Sequence, residues 1–209
     1  MNIGSELLRK VVHVGMGGFA LALRWLTPMQ AAACALIAVL FNLFLLHRIT
    51  GRSLLRTSEK EKGFSLGIAL YPAMVLILIL VFYRRLELAA AVWGLLAFGD
   101  GMATVAGVTL GGPKLPWNRE KTWAGLIAFV LWGTAASAFL IRWVQHGAVA
   151  GQNDHVGMSF LAGPGLLLAG CFAAALAAAM AESVRTGIDD NILVPLAGGL
   201  TLFAATLVD

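Results

Sequence analysis

Apolar residues run along this chain in blocks of the length a bilayer requires, with the polar residues gathered between the blocks. About 20 apolar residues carry a helix across a membrane. Seven stretches qualify, at roughly 11–27, 29–46, 64–82, 86–108, 122–141, 161–182 and 191–208. Thr27-Pro28 closes the first, and Pro72 falls inside the third, where a kink is expected. The first and fourth are rich in glycine and polar at one end. No linker long enough to separate a second domain occurs, and no repeat is evident. The pattern predicts an all-α, polytopic integral membrane protein, a bundle of about seven transmembrane helices, with residues 1–209 as a single domain.

Composition agrees with that reading. Of 209 residues, 59% are hydrophobic and 12% charged, with mean hydropathy +0.84. Soluble domains carry about 25% charged residues, so this chain lacks the polar faces that water-soluble helices need. Cys34 and Cys171 each lie inside an apolar run, where packing is the expected role; neither a disulfide framework nor a zinc site is indicated. Arg9 and Lys10 ahead of an apolar run imitate a signal peptide. His13 and three glycines interrupt that run, and further spans follow, so a first span is expected instead. The net charge of +4 fits headgroup contact and topology rather than nucleic-acid binding.

Charge also orients the bundle. With the N-terminus inside, Arg9, Lys10, Arg48, Arg52, Arg56, Lys60, Lys62, Lys114, Arg119, Lys121 and Arg185 fall on the inner side, against Arg24, Arg84, Arg85 and Arg142 outside. The positive-inside rule then predicts a cytoplasmic N-terminus and an outer C-terminus. The polar clusters of chemical interest all fall on the inner side. The 144–160 loop, with Asp154 and His155, reads as an exposed outer connector, and the cationic 47–63 loop as a segment lying on headgroups, with Lys60 or Lys62 within reach of phosphates as the alternative.

Residues 98–125 do not fit a plain span. Asp100 follows an apolar segment that begins near Leu86, and a carboxylate at membrane depth costs about 2.5–3.5 kcal/mol on insertion scales, which makes it a functional candidate. Ala103, Thr104, Gly107 and Gly111 follow at steps of three and four, on the Asp100 face of one helix. Small residues there admit either a neighbouring helix or a phosphorylated ligand. The helix is expected to end at Gly112-Pro113, and a loop bearing Lys114, Asn118, Arg119, Glu120 and Lys121 leads to Thr122 and the next span. An acid, a glycine face and a cationic loop together suggest a metal–phosphate site.

Two further clusters belong to the same side. Arg9 and His13 are four apart on one face, as an interfacial anchor or as phosphate contacts. Glu182 ends an alanine-rich span, and Asp189, Asp190 and Asn191 follow seven to nine residues later. That group reads either as a polar turn that caps the last helix or as carboxylates whose repulsion calls for a cation, Mg²⁺ being the usual companion of nucleotide phosphates.

Asp100-x2-Ala103-x3-Gly107-x3-Gly111 followed by Lys121-Thr122-x2-Gly125 resembles the CTP-binding signature of the dolichol kinase and phytol kinase family. Ala124, where the dolichol kinase form carries Glu, is closer to the phytol kinase form. Arg9-Lys10-x2-His13 and Glu182-Ser183 with Asp189-Asp190-Asn191-x3-Pro195 are similar to the family's terminal patterns. The resemblance implies a CTP-dependent kinase of a polyprenol or related isoprenoid alcohol (dolichol-, phytol- or farnesol-like). It implies that Asp100 with one or both of Asp189 and Asp190 holds Mg²⁺, that Lys121, helped by Lys114 or Arg119, neutralises phosphate, and that Gly107 and Gly111 let the nucleotide lie on the helix. Ala103, Thr122, Gly125, Asn191, His13 and Arg9 are further nucleotide-contact candidates, and an acid among 182–190 is the candidate base. The expected partners are CTP, a lipid alcohol and the bilayer, without nucleic acid; a homo-oligomer stays open.

Three alternatives stand beside this reading. A phosphatidate cytidylyltransferase shares the Lys-Thr-x-x-Gly ending and attacks the α-phosphorus instead of the γ, and a CTP-dependent diacylglycerol kinase differs only in the alcohol. A cation-coupled transporter would use the intramembrane acid as an ion site, against which stand the absence of inverted repeats and the Lys121-Thr122 loop.

Overall fold

The computed structural model describes residues 3–46, 66–147 and 163–207. The cationic 47–63 loop, with Lys60 and Lys62, and most of the 144–160 connector, with Asp154 and His155, lie outside the described residues.

The chain is an all-α membrane protein. Helix α1, Ile3–Gly17, tightens into a 3₁₀ stretch, Gly18–Arg24. Thr27 and Gln30 then form a reciprocal cap for α2, Pro28–Phe41, with Pro28 at its first turn, where a missing N–H costs nothing. A π-helical turn, Asn42–Leu46, extends α2. Helix α3, Leu66–Val81, carries Pro72 within it. Helix α4, Leu86–Gly94, passes through a π-helical turn, Leu95–Gly99, into α5, Asp100–Thr109. Helices α6, Trp123–Gln145, α7, Pro164–Ser183, and α8, Asp190–Ala205, complete the bundle.

Pro28–Leu46, Leu86–Thr109, Trp123–Gln145 and Pro164–Ser183 are each long and apolar enough to cross a membrane. The runs expected at 64–82 and 191–208 contain shorter apolar helices, Ala69–Val81 and Asp190–Ala205. The run expected at 11–27 is divided between α1 and the 3₁₀ stretch.

The bundle is built around α4, every residue of which is buried. It packs against α6, α8 and α3, while α7 lies between α6 and α8. Without a hydrophobic drive between helices in lipid, close approach depends on small side chains. Helix α7 accordingly buries Gly170, Ala174, Ala175, Ala178 and Ala179. Helix α2 is the peripheral member: it packs chiefly on α3 and exposes Leu36, Ile37 and Leu40.

Candidate active site

The π-helical turn sets the position of the central acid. Asp100 begins α5 and is 2% exposed. Helix α1 brings two side chains to it from the other end of the sequence. Lys10 Nζ lies 2.5 Å from Asp100 Oδ2 and His13 Nε2 3.5 Å from the same oxygen. His13 Nε2 is also 2.8 Å from the carbonyl of Leu96, inside the π turn. Both neighbours of Nε2 are acceptors, which assigns the ring proton to that nitrogen. Val14 of α1 packs where a Cβ on Gly101 would stand, so the glycine is what admits α1 at this depth. Tyr71 packs on the His13 ring at 4.3 Å, donates to the His13 carbonyl at 3.3 Å and accepts from Trp93 Nε1 at 2.8 Å.

The glycine face of α5 is used for helix packing. A Cβ on Gly125 would sit 2.8 Å from the carbonyl of Ala103, and one on Gly107 3.3 Å from Thr122 Oγ1. The helix also stops earlier than expected. Leu110 is the last capping residue, and Gly111, at φ +62°, is the left-handed residue that follows it. Gly111 therefore lies off the helix face on which the spacing had placed it, and the turn continues through Gly112 at φ +89°.

The loop from 110 to 122 folds back on itself. Lys114 bridges Thr122 through the backbone, and Leu115 N–H donates to the Lys121 carbonyl at 3.1 Å. Asn118 is its buried organiser: Nδ2 donates to the Ser183 carbonyl at 3.0 Å, and Oδ1 accepts from Glu120 N–H at 3.1 Å and Arg185 Nε at 3.3 Å. Trp117 Nε1 donates to Ser183 Oγ at 2.9 Å. The loop is thus tied to the end of α7, where Glu182 stands. Thr122 then caps α6, accepting from Gly125 N–H at 3.1 Å. Thr122 as cap and Gly125 at the α5 contact give the Lys-Thr-x-x-Gly pattern its local meaning.

Lys121 leaves this loop toward α7 and α8. It pairs with Glu182 and lies 3.6 Å from Asp190 Oδ2. Burial works against its charge, but the attraction of Glu182 and then Asp190 outweighs burial and holds the ammonium above the ordinary lysine range. Carboxylate oxygens of Asp100, Glu182 and Asp190 lie within 4.8 Å of one another. Among the described residues, Lys10 and Lys121 thus face a cluster of three acids, and Asp100 Oδ1 is buried without a hydrogen-bond partner.

The placement of the residues singled out above follows from these contacts. Asp100, Glu182, Asp190, Lys121 and His13 converge. Asp189 does not join the three acids, because its carboxylate caps α8, accepting from Asn191 N–H at 2.9 Å and Asn191 Nδ2 at 2.7 Å. Asn191 Nδ2 also reaches the carbonyl of Gly67 at 3.3 Å. Lys114 and Arg119 are exposed. Arg9 lies in α1, and its side chain falls outside the described residues. Lys10, Asn118, Tyr71 and Trp93 join the site without having been singled out as site residues. Lys10 had a signal, since it is three residues before His13 and shares its face.

The molecule is a helical membrane protein with a cluster of acids and lysines where α1, α5, α7 and α8 meet. No family model and no solved structure matches the chain. Relatives do. The chain is 30% identical over 217 residues to a probable chloroplastic phytol kinase of Triticum aestivum, covering 96% of this chain and 68% of the relative. It is 29% identical over 214 residues to a probable chloroplastic phytol kinase of Zea mays, covering 96% and 67%. It is 27% identical over 213 residues to the chloroplastic farnesol kinase of Arabidopsis thaliana, covering 95% and 65%. The chain belongs to the phytol kinase family, and it spans about two thirds of the length of these relatives.

Proposed function

We propose that this chain is a CTP-dependent lipid-alcohol kinase that moves the γ-phosphate of CTP to an isoprenoid alcohol of the phytol or farnesol type, at the cytoplasmic membrane face. The observation that carries the proposal is the convergence of Asp100, Glu182 and Asp190 with Lys10 and Lys121 in a chain whose relatives are named phytol and farnesol kinases. The resemblance of 98–125 to a CTP-binding signature supports the choice of donor, and the inner-side excess of Lys and Arg supports the choice of face.

Phosphoryl transfer needs positioning and charge more than covalent help. The acid cluster suits Mg²⁺: its donors are hard oxygens, they are close together, and Asp100 Oδ1 is buried without a partner among the described residues. Asp100 and Glu182 would hold the ion, with Asp190 beside them, and the ion when bound neutralises phosphate charge. Lys121, on the loop pinned by Asn118, offsets negative charge on the γ-phosphate, and Lys10 does so from α1. Asp189 is committed to the α8 cap, Asp100 to Lys10 and Glu182 to Lys121, which leaves Asp190, the least buried of the clustered acids, to accept the proton of the attacking hydroxyl. The alcohol oxygen bonds to the γ-phosphorus, the bond to the β-phosphate oxygen breaks, and CDP leaves.

The test uses purified protein in detergent or vesicles with Mg²⁺, γ-labelled CTP and phytol, farnesol, a long polyprenol or diacylglycerol. Label in phytol or farnesol phosphate is expected. Labelled pyrophosphate with a CDP-lipid product would assign a cytidylyltransferase, and label in diacylglycerol alone would assign the other kinase.

A further inference from the structure

A cavity of about 890 Å³ lies between α1, α2 and α3 and runs to the acid cluster. Its polar end is formed by Lys10, His13, Asp100, Asp190 and Asn191. Leu23, Ala31, Ala35, Val75 and Ile79 line the rest, and each of these is buried. Volumes of about 300–1,000 Å³ are those of ligand pockets that enclose most of a small molecule. Phe19 and Ile37 also line the cavity and are exposed on the outside of the bundle, so it opens sideways, toward lipid.

The cavity has a direction and a bounded length. Gly67 marks its polar end through Asn191, and Ile79 its apolar end. At 1.5 Å per residue α3 rises about 18 Å between them, well short of the about 30 Å hydrocarbon core. Ala31 and Ala35 are one helical turn apart on α2, and with only methyl groups they leave width for a branched chain. The polar end selects the headgroup. Asp100, Asp189 and Asp190 line it with acceptor oxygens beside the donors Lys10 and His13, an arrangement that suits a hydroxyl, which both donates and accepts.

We propose that this cavity seats the acceptor alcohol, with the hydroxyl at Asp100 and Asp190 and the branched isoprenoid tail between α2 and α3, and that Ala31 and Ile79 at its far end set the tail length accepted. The proposal rests on the kinase reading above and adds to it a binding site and two specificity-determining residues.

The test compares wild type, Ala31→Phe and Ile79→Ala with geraniol, farnesol and phytol, in order of increasing length, and labels the wild-type protein with a farnesol analogue bearing a diazirine at its tail. Ala31→Phe is expected to lower kcat/KM for phytol at least about tenfold more than for geraniol, the scale on which an apolar pocket discriminates chain length. Ile79→Ala is expected to shift the ratio the other way. The diazirine should label the segments around Ala31 and Ile79, and excess phytol should compete. Equal loss on all three alcohols in both variants, or labelling confined to other helices, overturns the seat. If Ala31→Phe fails to fold, Ile79→Ala and the labelling decide. If wild type phosphorylates none of these alcohols but the probe still labels Ala31 and Ile79 competitively, the kinase reading falls and the seat stands.

Discussion

Lys10 and Asp100, separated by 90 residues, meet at 2.5 Å where α1 packs against α5. This contact joins the first helix to the centre of the site. It also explains how a carboxylate is tolerated there: a cation is supplied in place, and breaking one half leaves the other uncompensated.

Asp100→Asn is therefore expected to lower both activity and stability. The loss in kcat should be on the order of 10²-fold or more, the scale of removing one preorganised electrostatic contact. Thermal unfolding in detergent should show Lys10 and Asp100 coupled by about 0.5–3 kcal/mol, the range for residues in direct contact. The double variant Lys10→Met with Asp100→Asn should thus be more stable than the sum of the single losses allows, while remaining inactive. Full activity in Asp100→Asn would remove the metal-site reading.

Lys121 gives a pH dependence with a definite sign. Its pairing with Glu182 and Asp190 raises its pKa above the ordinary value of 10.5. A group whose folded pKa is raised contributes stability that is complete below its unfolded pKa and is lost as pH rises through the folded one. The lysine's share of the difference in melting temperature between wild type and Lys121→Met should then persist as pH rises through neutrality and shrink in the alkaline range above the ordinary lysine value, while protonation of Glu182 and Asp190 removes the pair on the acid side. A difference that already collapses as pH rises from about 6 to about 8 would mean that a group other than Lys121 is losing its proton there.

The helical class was legible, and four of the seven expected spans with it, because bilayer length and apolar composition leave a helix few alternatives. Asp100, Glu182 and Asp190 stood out for a related reason, as acids at the ends of apolar runs. Contacts made across the bundle were not legible. Asn118 reads as an ordinary loop amide until Ser183 is seen beside it, and Lys10 reads as an interfacial anchor until α1 is placed against α5. Asp189 and Asp190 are adjacent and alike in sequence. Only the start of α8 separates them, turning one into a cap and leaving the other to face Lys121. The spacing of Gly107 and Gly111 suggested one face, yet the left-handed residue after Leu110 ends the helix between them.

Gly125 and Gly107 should respond unequally to alanine, although both belong to the same small-residue pattern. At Gly125 the new Cβ would stand 2.8 Å from the backbone carbonyl of Ala103, an atom that cannot turn aside. Helix α5 must move from α6, and overpacking of this kind costs about 1–3 kcal/mol. The displacement would carry Asp100, three residues before Ala103 on the same helix, away from Lys121 and Glu182. At Gly107 the closest atom would be the Thr122 hydroxyl at 3.3 Å, which a few tenths of an ångström relieves. Gly125→Ala is expected to lose both melting temperature and kcat, and Gly107→Ala to keep most of each. If the glycine face instead carries the nucleotide, Gly107→Ala should raise the KM for CTP without changing the melting temperature. Measuring KM and thermal unfolding on the same two variants separates a helix contact from a ligand contact.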